Sequence, residues 1–219
     1  MPGEDLKLGA LTEADTCRIF VTPMLQAAGW GRSPYLIGEQ RTFTDGRIIV
    51  AGGMVRRGRQ KRADYLLFYR RDFPIAVVEA KEAGRPAEDG VQQVREYAEI
   101  LGLRFAYATN GRRIIEIDAS TGRETEIENF PTPQALWDRL SRLIRLPARA
   151  AGPLLEPFNL MAGKVPRYYQ RIAVHRVVEA ILLGRDRVFI TMATGTGKTP
   201  VAFQICWKLW NSRWNRTGE

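Results

Sequence analysis

Apolar and polar positions change period several times along the chain, and each change marks an element. Over residues 11–29, Cys17, Phe20, Val21, Met24, Leu25 and Ala28 recur at the three- and four-residue spacing of one helix face. Thr12 offers an N-cap, Glu13 and Asp15 lie where the helix dipole favours acids, and Gly29 supplies a stop. Pro23 falls inside this stretch and predicts a kink or a split. Short β-like runs follow at 35–37, 40–44, 47–50, 63–69 and 74–80. Asp45-Gly46 predicts a hairpin between the second and third runs, and residues 70–74 join the last two as an antiparallel pair. A helical period returns over 87–101 through Val91, Val94, Ala98 and Leu101. Asn110-Gly111 separates strands at 105–109 and 112–117, and a helix over 133–145 closes this part of the chain.

The pattern then breaks. Pro147–Gly163 holds three prolines and two glycines and reads as a linker. Beyond it the spacing predicts a helix over 168–183, a strand over 187–192 and a helix over 199–211. The chain thus divides into a mixed helix-and-sheet domain (1–147), a linker (148–163) and a strand–loop–helix segment (164–219). No internal repeat or low-complexity tract is present.

Composition narrows the class. Of 219 residues, 45% are hydrophobic, enough to bury a core and against disorder. No apolar run of about 18 residues exists for a membrane-spanning helix. The acidic N-terminus has no cationic-then-apolar secretory pattern, so a cytoplasmic protein is expected. Cys17 and Cys206 are too far apart in sequence to suggest a disulfide or metal framework, and the single His175 cannot build a multi-histidine site. The formal net charge is +9, which suggests a polyanionic partner. Residues 151–219 carry 10 basic and 4 acidic side chains, so most of the surplus lies there. A local basic cluster, Arg56, Arg57, Arg59, Lys61 and Arg62, precedes the most informative strands and is the candidate phosphate contact.

The chemistry concentrates in Pro74-Ile-Ala-Val-Val-Glu79-Ala-Lys81. Glu79 and Lys81 are two apart, so on a strand they share a face. The run is otherwise apolar, and burying a carboxylate and an ammonium there is costly unless they pair or bind a metal. A hairpin through 70–74 brings Asp64 alongside Glu79. Two carboxylates suit a hard divalent cation, and Mg²⁺ held by Asp64 and Glu79 at a scissile phosphate would help generate hydroxide. Lys81 would orient water or offset charge on phosphoryl oxygens. Gln93 and Tyr97 lie four apart on the next helix and can reach the same site, either touching DNA or positioning Lys81.

Asp64, Glu79-Ala-Lys81 and Gln93-Val-Arg-Glu-Tyr97, with Glu13 in the first helix, resemble the PD-(D/E)xK nuclease domain. The glutamine–tyrosine extension resembles the variant in the restriction subunit of type I restriction–modification enzymes. The resemblance covers about residues 10–145 and implies an α/β fold, a mixed sheet flanked by helices. It also implies Mg²⁺-dependent cleavage of double-stranded DNA, with methyltransferase and specificity subunits as partners. Glu13, with Asp15 as competitor, takes the acidic position of the first helix, and Ala63 stands where a proline is common.

Ala193-Thr194-Gly195-Thr196-Gly197-Lys198-Thr199 follows an apolar run and precedes a helix, the arrangement of a phosphate-binding loop. Its glycines let backbone N–H groups face phosphates, Lys198 would reach β/γ oxygens, and the Thr199 hydroxyl would bind Mg²⁺. With Met192 where the strict pattern has glycine, the loop resembles that of superfamily 2 helicases. Pro166-Arg-Tyr-Tyr-Gln170 resembles their adenine-reading motif, with Gln170 as the reader. The resemblance implies ATP and a RecA-like motor of which this chain carries only the opening, so ATP binding without useful hydrolysis is expected. A repair nuclease–helicase and an inactive DNA-binding module remain alternatives.

Overall fold

The structure, a computed structural model, describes residues 11–44, 48–51, 54–57, 60–160 and 165–214, with 48–51 and 54–57 described by backbone alone. The chain forms two compact units, Met1–Trp137 and Asp138–Glu219.

The first helical stretch runs as α1 (Glu13–Thr16), a π turn (Cys17–Val21) and α2 (Thr22–Ala27). Pro23 has no N–H to give and its ring crowds the preceding turn. The backbone widens there, and Thr22 N–H reaches back to the Cys17 carbonyl. The expected kink is therefore a wide turn inside one continuous helical path.

A six-stranded mixed sheet has its strands in the spatial order Leu36–Thr44, Gln60–Arg70, Phe73–Ala80, Phe105–Thr109, Ile114–Asp118 and Glu124–Ile127. β1 (Leu36–Thr44) pairs antiparallel with β4 (Gln60–Arg70), from Leu36 opposite Phe68 to Thr44 opposite Gln60. Within that long hairpin lies a separate ribbon, β2 (Ile48–Ala51) with β3 (Met54–Arg57). This corrects the expected 40–44 with 47–50 hairpin, whose Asp45-Gly46 turn lies outside the described residues. The apolar face of β4 gives β1 a longer ladder than the short β2 could.

β5 (Phe73–Ala80) returns antiparallel beside β4, with register shifts where Pro74, lacking an N–H, faces Phe68. α3 (Val91–Leu101), entered through a 3-10 turn (Ala87–Gly90), crosses over to β6 (Phe105–Thr109), which runs parallel to β5. β5 and β6 are almost wholly buried, and their near-continuous apolar runs suit strands covered on both faces. β7 (Ile114–Asp118) follows β6 through the Asn110-Gly111 turn, where the Asn110 carboxamide oxygen accepts from the Arg112 and Arg113 N–H groups. β8 (Glu124–Ile127) lay outside the sequence expectation, because its mostly exposed residues carry no period-2 apolar signal. Trp30, Tyr65, Leu67, Phe105, Tyr107, Ile114 and Ile117 fill the core. α4 (Pro133–Leu143) closes this part of the chain, with the division between units falling inside it.

In the second unit, α5 (Ala151–Leu155) lies within the stretch expected to be a linker. The residues after it are strapped to α7 (Lys198–Asn211). The Gln204 amide bonds the Asn159 N–H and carbonyl at 2.9 and 2.7 Å, and Trp207 Nε1 donates to the Pro157 carbonyl. Buried Lys208 donates to the Leu154 and Glu156 carbonyls. Proline-rich composition concealed this order, because the donors come from a distant helix. α6 (Tyr168–Leu182) lies where expected. Residues 187–192 do not form the expected strand. They carry no regular secondary structure, no other strand of this unit is among the described residues to complete a ladder, and Phe189 is exposed.

Gly111 has φ +81°, and a Cβ there would meet Phe20 Cβ at 2.8 Å. Gly111→Ala is expected to destabilise the first unit by roughly 1–3 kcal/mol, read from urea unfolding midpoints.

Candidate active site

Strand pleating and hydrogen bonding bring four segments to the end of β5. Glu79 lies on β5, Lys81 just past its end, Asp64 on the neighbouring β4, and Gln93 and Tyr97 on α3. Lys81 N–H donates to the Thr109 carbonyl at 2.8 Å, which extends the parallel β5–β6 pairing by one residue and fixes where the side chain leaves. Gly90, just before α3, leaves room beside the Lys81 methylenes, which a Cβ there would meet at 3.6 Å.

Lys81 Nζ donates to Gln93 Oε1 at 2.8 Å and Glu79 Oε1 at 3.2 Å, and lies 3.5 Å from Glu13 Oε1. Gln93 Nε2 donates to the Tyr97 hydroxyl at 2.7 Å. A continuous polar chain therefore runs from Tyr97 through Gln93 and Lys81 to Glu79. Asp15 does not join it: its carboxylate closes a capping box with Thr12 and pairs with Arg18. Asp64 Oδ2 accepts the Ala80 N–H at 2.8 Å, and Oδ1 accepts Gln40 Nε2 at 3.0 Å. Thr16 Oγ1 accepts the Ala83 N–H at 3.0 Å and so ties the Glu13-bearing helix to the segment after Lys81. Sequence reasoning missed Gln40 and Thr16, since neither stands in a motif and both act through long-range contacts.

Burial dominates the electrostatics. It pushes the Glu79 carboxyl up to about 7, with the Asp64 charge adding to the rise and Lys81 opposing it. Burial also raises Asp64, although the Ala80 N–H and Gln40 amide pull it back. Burial works against the Lys81 ammonium, yet Glu79 and Glu13 hold its pKa above the ordinary lysine value. The Tyr97 phenol is likewise raised by burial. The buried Cys17 thiol, pushed up to about 11 chiefly by desolvation, is no nucleophile.

A divalent cation fits these donors. Glu79 Oε2 is buried and no hydrogen-bond donor reaches it, an arrangement that disfavours the carboxylate unless a positive partner arrives. Among the described residues, no three or more His, Cys, Asp and Glu side chains gather into a cage. Two carboxylates with water and phosphate completing the shell is the manner of Mg²⁺ rather than of zinc.

The basic cluster is distributed. Arg56 and Arg57 lie on β3, Lys61 and Arg62 at the start of β4, and Arg59 lies outside the described residues. Lys61 Nζ pairs with Glu96 Oε1 at 2.5 Å and lies 5.9 Å from the Tyr97 ring centre, whereas Arg62 is exposed.

In the second unit the 193–199 loop leads into α7, with Lys198 its first residue. Gly195 and Gly197 adopt φ +76° and +88°, conformations that glycine takes without strain. Gln170 Nε2 and the Tyr169 hydroxyl donate to the Thr196 carbonyl at 2.9 and 3.2 Å. Beside them is a pocket of about 670 Å³ lined by Arg167, Gln170, Thr196, Gly197, Thr199 and neighbours. Thr194 and Lys198 are not among its walls.

The chain is similar to known proteins along most of its length. Residues 35–131 match the family profile described as type I restriction enzyme R protein N terminus, and residues 163–217 match that of the type III restriction enzyme res subunit. The chain is 37% identical over 217 residues to the EcoAI type I restriction enzyme endonuclease subunit of Escherichia coli, covering 95% of this chain. The chain belongs to the type I restriction enzyme R-subunit family. It is also 27% identical over 253 residues to the EcoKI endonuclease subunit of E. coli K12, covering 90% of this chain. A solved fragment assigned to the HsdR subunit of a type I restriction enzyme from Vibrio vulnificus YJ016 superposes with a TM-score of 0.85 at 56% identity, over 95% of this chain and 40% of that one. The chain spans 26% of the EcoAI subunit and 21% of the EcoKI subunit, and corresponds to the N-terminal region of the family. Among its described residues, no helix is long and apolar enough to cross a membrane.

The Glu79 shift gives this R-subunit chain a pH signature. An unfolded chain releases that proton near 4.5 and the folded protein holds it to about 7, so metal-free stability falls as pH rises through this window. The full span corresponds to roughly 3 kcal/mol. Urea midpoints in chelator are expected to drop between pH 5 and 8, and Glu79→Gln is expected to flatten that drop.

Proposed function

We propose that the first unit is a Mg²⁺-dependent nuclease acting on double-stranded DNA and that the second opens the ATP-driven motor of the same R subunit. The observation that carries the nuclease reading is the buried Glu79 carboxylate, one oxygen without a donor, set beside Asp64 and Lys81. Asp64 and Glu79 would hold the cation, which supplies Lewis-acid polarisation and lowers the pKa of bound water. Lys81 keeps its proton and offers N–H donors to the water or to the phosphoryl oxygens, where negative charge grows. Gln93 accepts a second hydrogen bond from the ammonium beside the one to Glu79, and Tyr97 holds Gln93. Glu13 adds negative charge 3.5 Å from Lys81 and helps keep it protonated. Arg56, Arg57, Arg59, Lys61 and Arg62 would line the backbone path of the DNA; phosphate contacts bring affinity and salt dependence but no base reading. Recognition of sequence then falls to the methyltransferase and specificity subunits of the complex.

In the second unit the turn before α7 presents backbone N–H groups at a helix N-terminus, suited to phosphates. Lys198 and Thr199 would meet the β/γ-phosphates and their Mg²⁺, with Gln170 beside the loop for the base.

In the reconstituted restriction complex, Glu79→Ala and Lys81→Ala are each expected to slow DNA cleavage by on the order of 10²–10³-fold while ATP hydrolysis persists. Wild-type cleavage in either variant sinks the nuclease reading. For the motor, excess ATP is expected to raise the thermal midpoint of the second unit's transition, and Lys198→Ala to remove that rise.

A further inference from the structure

Gln40 interrupts β1. The β1–β4 ladder pairs Glu39 with Tyr65 and Arg41 with Ala63 but skips the rung between them, where Gln40 faces Asp64. There Gln40 takes φ +48°, a left-handed conformation that a non-glycine residue in a strand adopts only under constraint. Its side chain is exposed, so no apolar burial offsets the strain. What the conformation secures is one contact, Nε2 to Asp64 Oδ1 at 3.0 Å. The other Asp64 oxygen is held by the Ala80 N–H at 2.8 Å. Each neighbour of β4 thus gives Asp64 one donor: β5 through its backbone, β1 through the Gln40 carboxamide. Two donors from opposite sides fix the rotation of a carboxylate that a single donor would leave free to swing.

We propose that Gln40 is a positioning residue of the nuclease site, which orients the Asp64 carboxylate for the divalent cation. The proposal rests on the nuclease reading above. The amide is suited to the role because it donates without adding charge. A lysine there would compete with the cation, and a carboxylate would repel Asp64. The remaining lone pairs of Asp64 stay available to the metal, as in sites where an outer hydrogen bond aims a ligand it does not replace.

The test is Mn²⁺ binding, by calorimetric titration, to wild type, Asp64→Ala, Gln40→Met and Gln40→Gly, with thermal midpoints of each protein measured in chelator. Wild type is expected to bind Mn²⁺ and Asp64→Ala to lose that binding. Both Gln40 variants should bind about 10–100-fold more weakly. The midpoint of Gln40→Gly should match or exceed that of wild type, because glycine accepts the left-handed backbone. Methionine keeps the length of the side chain without the donor, so its loss of affinity isolates the hydrogen bond. Wild-type Mn²⁺ affinity in both Gln40 variants overturns the proposal. So does a weakened affinity that only tracks a lowered midpoint in both, which marks Gln40 as structural support. If wild type shows no Mn²⁺ binding that Asp64→Ala removes, the nuclease reading itself falls and this proposal falls with it.

Discussion

Burying Glu79 and Lys81 at the end of an otherwise apolar strand is the constraint around which the first unit is organised. Neither charge is tolerable alone in that environment, and the pair is incomplete even together, since one Glu79 oxygen lacks a donor. The surrounding elements answer this cost. β6 takes the Lys81 backbone, α3 brings Gln93 to its ammonium, and the first helix brings Glu13. A buried carboxylate oxygen without a donor is uncommon in a pair that serves structure alone. The deficit on the Glu79 side is the observation on which the proposed cation site rests.

The topology makes that convergence possible. The β4–β5 hairpin puts Asp64 beside the end of β5, and the crossover through α3 to a parallel β6 lays a helix over the same end. Such ends of strands, where connections leave the sheet, are where open α/β sheets gather ligands. The π turn forced near Pro23 is part of the same arrangement, because it shapes the helix that carries both Glu13 and Thr16.

In the second unit, α7 serves two tasks with its two ends. Its N-terminus receives the glycine turn expected to hold phosphates, while Gln204, Trp207 and Lys208 farther along satisfy backbone groups of the preceding segment. Lys208 is buried and lies over the Phe158 ring at 4.8 Å, so its charge is committed to this packing and is no part of a DNA-binding face. His175, stacked on Phe158 and held well below its ordinary pKa by burial, is equally structural. The basic surplus of residues 151–219 therefore overstates the positive charge this unit presents outward.

Much of this was readable in the chain. The apolar runs around β4, β5, β6 and β7, the Asn110-Gly111 turn, and the helices expected over 87–101 and 168–183 follow from local period and spacing. Asp64, Glu79, Lys81, Gln93 and Tyr97 stand out instead by side-chain chemistry together with the family resemblance. Local signals could not tell that β1 pairs with β4 across an inserted ribbon, that 187–192 forms no strand, or that the proline-rich stretch is strapped down. In the first and last of these the deciding hydrogen bonds come from residues far along the chain, and in the second no partner strand is among the described residues. The same holds for Gln40, whose left-handed backbone and contact with Asp64 exist only once two strands lie side by side. The sequence by itself determined which chemical groups are present and on which elements, because side-chain period is a property of neighbours along the chain. Which groups share one buried, desolvated site was decided by the tertiary structure, because desolvation and pairing belong to neighbours in space.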